Sequence, residues 1–211
     1  SIYPTPLLQS SNQLLPSIIS STQGVDKVES YCHHNSSLCE DDRQFRVVVV
    51  TYHRYHQKYQ LMVNFHGSYK PAGIHRTYPN VLTREGVKGL ENHKWSDAIT
   101  PAHNLHLPFI RMIAGPMDYT PGAMRNATKS EFKPSHSTPM SQGTRCHQLA
   151  LYTIFEAPLQ MMADSPTAFM AAQESTDFIA KVPTTFDETV ALDGEVGKFV
   201  SIARRKGNTW Y

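Results

Sequence analysis

The sequence predicts an α/β fold, and three observations carry that prediction. From Phe45 onward, short apolar runs of strand length alternate with segments of helical spacing. Gly- and Pro-containing turns separate the segments. The run at 61–65 ends in His66, Gly67, Ser68 and Tyr69 rather than in ordinary turn residues. In parallel α/β folds the groups just past a strand's carboxyl end line the ligand crevice, so this tip marks a candidate site. A satisfied structural loop is the competing reading, and spacing alone does not separate the two.

Taken in order, residues 1–30 are rich in Ser, Gln, Leu and Pro without a clean period, and 31–42 gather Cys, His, Asn, Ser and acids. Residues 1–45 therefore read as an irregular amino-terminal segment. It lacks the basic start, apolar core and small-residue cleavage site of an export signal. Residues 47–59 read as a helix whose polar face carries Arg54, Gln57 and Lys58, against the preference of four successive valines. A strand at 61–65, a short helix at 86–95 and an apolar strand at 107–114 follow. Residues 143–155 have helical spacing, and 159–163 read as a buried strand with Met161 and Met162 in the core. Ser165 caps a helix that Pro166 opens and Lys181 closes ahead of Pro183. Residues 184–192 form a last parallel strand, and the glycine turns at 194–197 and 207 shape a hairpin from 198–203 and 209–211.

Composition limits the function classes. A net charge of +2 over 211 residues offers no basic field for nucleic acid, and no apolar run of spanning length implies a membrane segment. Cys32, Cys39 and Cys146 are an odd set that specifies no disulfide framework. Cys32, His33, His34 and Cys39 lack zinc-site spacing.

The wording of the chain says more than its spacing. Val63-Asn64-Phe65-His66-Gly67-Ser68-Tyr69-Lys70-Pro71, Glu85-Gly86-Val87-Lys88-Gly89-Leu90-Glu91, Phe109 to Gly122 with its Gly115-Pro116-Met117-Asp118-Tyr119 core, and Glu156-Ala157-Pro158-Leu159-Gln160-Met161 occur in that order. Together they resemble the catalytic domain of glycoside hydrolase family 97, the calcium-dependent α-glucosidases and α-galactosidases. The resemblance runs from about residue 46 to the end, with none found in residues 1–45. It implies a partial (β/α)₈ TIM barrel, about its second half, at 46–192, followed by the start of a carboxyl-terminal β-sandwich at 193–211. A complete barrel needs about 250 residues, so the expectation is a fragment. Unpaired parallel edges would then favour aggregation.

The resemblance also implies chemistry. Glycoside hydrolysis uses one carboxylic acid to protonate the leaving oxygen and a second carboxylate as nucleophile or base. By resemblance Glu91 is the general acid/base and, with Glu85, a ligand of Ca²⁺, a hard cation suited to carboxylate oxygens. Taken alone, Glu85 and Glu91 read first as surface acids paired with Lys88 and Lys94. His66 is expected to donate to a sugar hydroxyl, with a core histidine as the alternative. Gly67 stands where the inverting branch of the family has its glutamate base, which implies the retaining branch. The nucleophilic aspartate is expected near Ser36, where the chain has none, and Asp41 and Asp42 lie a few residues beyond. Arg111, Asp118, Tyr119 and Glu156 read as loop and helix-end residues first.

Three functions remain open. One is part of a retaining exo-acting α-galactosidase or α-glucosidase acting on oligosaccharides. The others are a non-catalytic carbohydrate-binding relic and an inactive truncated product. The resemblance implies a periplasmic or secreted location for an intact relative, and leaves the sugar and the oligomeric state undecided.

Overall fold

The computed structural model describes residues 18–20 and 62–211. The predicted helix at 47–59, the cysteine–histidine cluster at 32–39 and the residues around Ser36, Asp41 and Asp42 lie outside them. A parallel sheet is formed by β1 (Ile18–Ser20), β2 (Met62–Phe65) and β3 (Val81–Arg84), in that spatial order. The strand at β1 was not anticipated in a segment read as irregular. Helix α1 (Ile74–Thr77) makes the crossover between β2 and β3.

Past β3 the sheet continues as single contacts. Arg84 bridges Met117 in parallel fashion, and the Met117 amide donates to the Glu156 carbonyl at 2.8 Å. Glu156 is exposed and its carbonyl, just past the helix end, takes part in this continuation. Beneath lies the largest apolar cluster, with Leu90, Ile99, Leu107, Met117, Tyr119, Leu151 and Phe155 buried together. Burying a side chain of this size is worth roughly 1.5–3 kcal/mol, so this cluster dominates the packing of the central region.

The helices follow their caps. Thr100 accepts from the His103 amide at the start of α2 (Pro101–His106), and Thr144 accepts from the His147 amide at the start of α3 (Arg145–Ile154). The predicted helix at 143–155 thus begins two residues later than its spacing suggested. The Ser165 cap and the Pro166 start are as predicted, but the segment breaks into α4 (Pro166–Met170) and α5 (Gln173–Lys181). At the break the Thr176 hydroxyl donates to the Phe169 carbonyl at 2.7 Å, beside the Ala172 amide at 3.0 Å, and so ties α5 to the end of α4.

Four other segments differ from expectation. Residues 107–114 are two 3₁₀ turns, Leu107–Phe109 and Met112–Ala114, rather than a strand. Short apolar runs fit either period, and here Leu107 and Arg111, four apart, are buried while Ile110 and Ile113, three apart, face solvent, a helical spacing. The helix expected at 86–95 is reduced to a 3₁₀ turn, Leu90–Lys94, because Gly89 is extended and packed so that a Cβ there would meet the Tyr119 carbonyl oxygen at 2.9 Å. Residues 159–163 form no strand, and Met162 is exposed.

Residues expected to close the parallel series instead fall in β6 (Glu188–Glu195), antiparallel to β7 (Phe199–Lys206), which pairs with β8 (Thr209–Trp210). A tight turn at Lys198, whose amide donates to Glu195, makes β6 and β7 nearest neighbours, and antiparallel pairing follows. The pairing of β7 with β8 across the Gly207 turn is as the glycine pattern predicted. A minor parallel pair joins β4 (Asn126–Ala127) to β5 (Ser141–Gln142). Among the described residues no helix is long and apolar enough to cross a membrane.

Candidate functional site

Strand alternation assembles the site. Successive side chains of β2 point to opposite faces, so Val63 and Phe65 share one face and Asn64 and His66 the other. On the first face Val63 and Phe65 pack with Val81, and the Arg84 guanidinium lies 4.8 Å above the Phe65 ring. A register shift after Val63 brings Asn64 opposite Thr83 and Phe65 opposite Arg84. Thr83 and Glu85 thereby join Asn64 and His66 on the second, polar face.

That face is bonded throughout. The Thr83 hydroxyl donates to Asn64 Oδ1 at 2.7 Å, and Asn64 Nδ2 donates to Asp118 Oδ2 at 2.7 Å. His66 Nδ1 lies 2.8 Å from the same Asp118 oxygen. On the ring's other edge, Nε2 lies 3.2 Å from Glu91 Oε1 and 3.7 Å from Glu85 Oε1. The Gly67 amide donates to Glu85 Oε2 in a short contact. Gly67 has φ +66°, a left-handed conformation that glycine adopts without strain.

Arg111 fastens the platform. Its guanidinium donates to the carbonyls of Arg84, Glu85, Gly86, Gly115 and Pro116 at 2.7–3.2 Å. One side chain thus ties the end of β3 to the segment that leads to Asp118. Burial pulls the Arg111 pKa down to about 10, with the neighbouring Arg84 charge adding to the effect.

Burial and charge then divide the acids. Side-chain exposure is 32% at Glu91 and 24% at His66, but 9% at Glu85 and 2% at Asp118, so only the first two open toward a ligand. His66 is pushed up to about 10, chiefly by its hydrogen bond to Asp118 and then by Glu91. Glu91 is held below the usual carboxylate range by its hydrogen bond to His66. Glu85 is raised by burial, against the opposing pull of His66 and the Gly67 amide. The more proton-retentive carboxyl is therefore Glu85, while the more accessible one is Glu91.

All three residues singled out in the sequence, His66, Glu85 and Glu91, meet here, with a ligating atom of each within 4.8 Å of the others. Glu85 is not the exposed acid that a pairing with Lys88 would need. Asp118, which reads from sequence as a loop residue first, belongs to the cluster, and so do Asn64 and Thr83. The signal that could have found Asp118 is the one used for His66, a polar residue at the end of a short apolar stretch beside a strand. Arg111 is structural, as its sequence context suggested, and Tyr119 is buried, with its hydroxyl donating to Asn104.

Comparison with known proteins decides the family. The family model described as "Glycoside hydrolase 97" matches residues 22–87, and "Glycosyl-hydrolase 97 C-terminal, oligomerisation" matches 185–211. A retaining alpha-galactosidase of Bacteroides thetaiotaomicron is 54% identical over 156 residues, 73% of this chain and 24% of that protein. The chain belongs to glycoside hydrolase family 97. A probable retaining alpha-galactosidase of Streptomyces bingchenggensis is 35% identical over 72% of this chain and 22% of its own length. A family 97 enzyme of Pseudoalteromonas sp. strain K8, solved with acarbose, superposes with a TM-score of 0.67 at 36% identity, covering 77% of this chain and 25% of that one. The chain thus spans about a quarter of the length of these relatives. The family match starts at residue 22, so family 97 character reaches further toward the amino terminus than the motifs from residue 46 onward indicated.

The donor set suits a hard dication. Glu85 and Glu91 converge with carboxylate oxygens, and calcium takes six to eight oxygens in flexible geometry. His66 is a poor third ligand, since its hydrogen bonds to Asp118 and Glu91 hold its protons.

Proposed function

We propose that this chain is part of a retaining α-glycosidase that releases terminal α-galactosyl or α-glucosyl residues from oligosaccharides. The observation that carries this reading is the convergence of His66, Glu85 and Glu91 at adjacent strand tips, in a chain 54% identical to a retaining alpha-galactosidase. Glu91, the most open of the acids, protonates the leaving glycosidic oxygen and then, as carboxylate, deprotonates the attacking water. His66 donates from Nε2 to a sugar hydroxyl. Glu85 and Glu91 would hold Ca²⁺, with the Glu85 carboxylate fixed by the Gly67 amide. When bound, the cation supplies positive charge that orients sugar hydroxyls and offsets negative charge building up in the transition state.

Gly67 supports the retaining reading. Its left-handed backbone and its donation to Glu85 leave this position without a carboxylate of its own. The base of an inverting reaction therefore has no side chain at this position. The organisation we infer is the second half of a TIM barrel, then the start of a β-sandwich of the type whose family description includes oligomerisation.

The test is nitrophenol release from α-galactoside and α-glucoside substrates, with calcium and with chelator, on the chain and on Glu91→Gln. Calcium-dependent turnover that Glu91→Gln reduces by at least about 100-fold is the expected result, in line with loss of a general acid. Folded protein that binds calcium or sugar without turnover would instead make this chain a binding module.

A further inference from the structure

We propose that Asp118 is the positioning residue of this site: with Asn64 and Thr83 it fixes the His66 imidazole so that Nε2 faces the opening between Glu85 and Glu91. The purpose of this arrangement, aiming a donor at a sugar, rests on the glycosidase reading. The arrangement itself does not.

Three observations carry it. First, the side-chain relay spans three neighbouring backbone segments. It runs from Thr83 on β3 to Asn64 on β2, then to Asp118 beyond Met117, and ends at His66 Nδ1, with steps of 2.7, 2.7 and 2.8 Å. A ring held at Nδ1 from a ladder of strand ends has one direction left for Nε2. Second, Asp118 is a poor choice for the fold alone. Its side chain is 2% exposed, both donors fall on Oδ2, and Oδ1 is buried with no hydrogen-bond partner among the described residues. A buried, half-satisfied carboxylate costs more than a neutral amide left with one unmet group in the same space. Local rules are broken in this way where a side chain serves a neighbour's function.

Third, the same backbone segment reaches the acid. The Asp118 amide donates to the Arg84 carbonyl at 3.2 Å, and the Tyr119 carbonyl accepts from the Leu90 amide at 3.1 Å, where the turn bearing Glu91 begins. Residues 118 and 119 therefore set His66 through a side chain and Glu91 through a backbone bond. The spacing between the ring and the acid is fixed from one place.

The test is a long-range proton–nitrogen correlation spectrum of the full chain labelled at histidine nitrogens, in calcium-free buffer near neutral pH. His66→Gln assigns the signals. The expected result is a proton on His66 Nδ1, shifted downfield by its bond to Asp118. That signal disappears in Asp118→Asn at unchanged melting temperature and persists in Glu91→Gln, which alters the opposite edge of the ring. A bare Nδ1 in the wild-type chain overturns the proposal, as does a signal that Asp118→Asn leaves in place. Where Asp118→Asn does not fold, the wild-type spectrum decides alone. An intact Nδ1 proton in protein without glycosidase turnover removes the enzymatic reading and leaves the positioning role standing.

Discussion

At the tips of β2 and β3, charged and polar side chains are buried and bonded to residues 18 to 54 positions away, as in the contacts of Glu85 with Gly67 and of Asp118 with Asn64. Across the hairpin of β6 and β7 the paired charges stand largely in water, Glu188 with Arg205 and Asp187 with Lys206, and Arg204, packed over the Phe186 ring, is the buried exception. Coulomb energy at a given distance is several times larger where water is excluded, and so is the cost of leaving a charge unmet. Titration is therefore strongly perturbed at the first region, and side chains there cannot be exchanged cheaply. The second region tolerates exchange. Sequence distance shows the same contrast: the hairpin is local, whereas the site exists only once β2, β3 and the 117–119 segment have been brought together.

The largest effect expected from this contrast is at Arg111. Arg111→Met keeps the apolar stem but strips the carbonyls of Glu85, Gly86, Gly115 and Pro116 of this donor, while the Arg84 carbonyl keeps its bond from the Asp118 amide. Buried acceptors left unmet cost about 1–3 kcal/mol each, with partial relief from water, so a loss of roughly 3 kcal/mol or more is expected in urea unfolding. A loss under about 1 kcal/mol would mean that the platform is held by something other than this side chain.

A pair of glycines sharpens the comparison at the next level. Gly86 and Gly207 both have positive φ, +46° and +57°. A Cβ on Gly86 would come within 2.4 Å of the Lys70 backbone nitrogen, while a Cβ on Gly207 would meet nothing within 4 Å. Alanine at either position incurs the left-handed penalty of about 1–2 kcal/mol, and Gly86→Ala must also displace backbone beside the site. Melting curves should therefore place Gly86→Ala clearly below Gly207→Ala. Equal losses would show that the Lys70 loop gives way freely.

Legibility in the sequence followed the same divide between local and long-range determinants. The turn at Gly207, the cap at Ser165 and the strand at β2 are set by nearby residues, and turn chemistry exposes them. Residues 107–114 misled because an apolar octet fits a strand as well as successive 3₁₀ turns, and only the long-range demand on Arg111 and Leu107 selects the turns. His66, Glu85 and Glu91 were legible through family wording rather than through spacing. Asp118 was not, because its role depends on the register shift after Val63 that turns Asn64 toward it, and on a parallel contact between Arg84 and Met117. No period in the sequence encodes either feature.

Acidity offers a third way to separate the regions. The His66 pKa rises on folding from 6.5 to about 10, so the folded state binds the proton more tightly than the unfolded chain does. Its contribution is complete below 6.5, shrinks as pH rises, and is gone above about 10. In chelator, the stability difference between wild type and His66→Gln should therefore be largest near pH 6 and vanish by about pH 10.5. His93 and His147, lowered by burial, act in the opposite sense and weaken the fold as pH falls below 6.5. They are common to both proteins, so the difference between the two isolates His66. A difference that grew with pH would mean that His66 is neutral in the folded chain.

The smallest effect is expected on the hairpin. Arg205 Nε donates to Glu188 Oε2 at 3.0 Å across β6 and β7, in a geometry as good as that of several site contacts. Both side chains are a third or more exposed, at 34% and 47%, so water screens the pair, and ordering two long side chains offsets much of what remains. Glu188→Gln should change unfolding free energy by no more than about 0.5 kcal/mol, and that change should disappear in 1 M salt. Glu85→Gln is the informative partner experiment. It removes a carboxylate that burial already biases toward its neutral form, so in chelator it should leave stability nearly unchanged while weakening calcium binding. A loss above about 1 kcal/mol for Glu188→Gln that persisted in 1 M salt would mean that burial is not what distinguishes these regions.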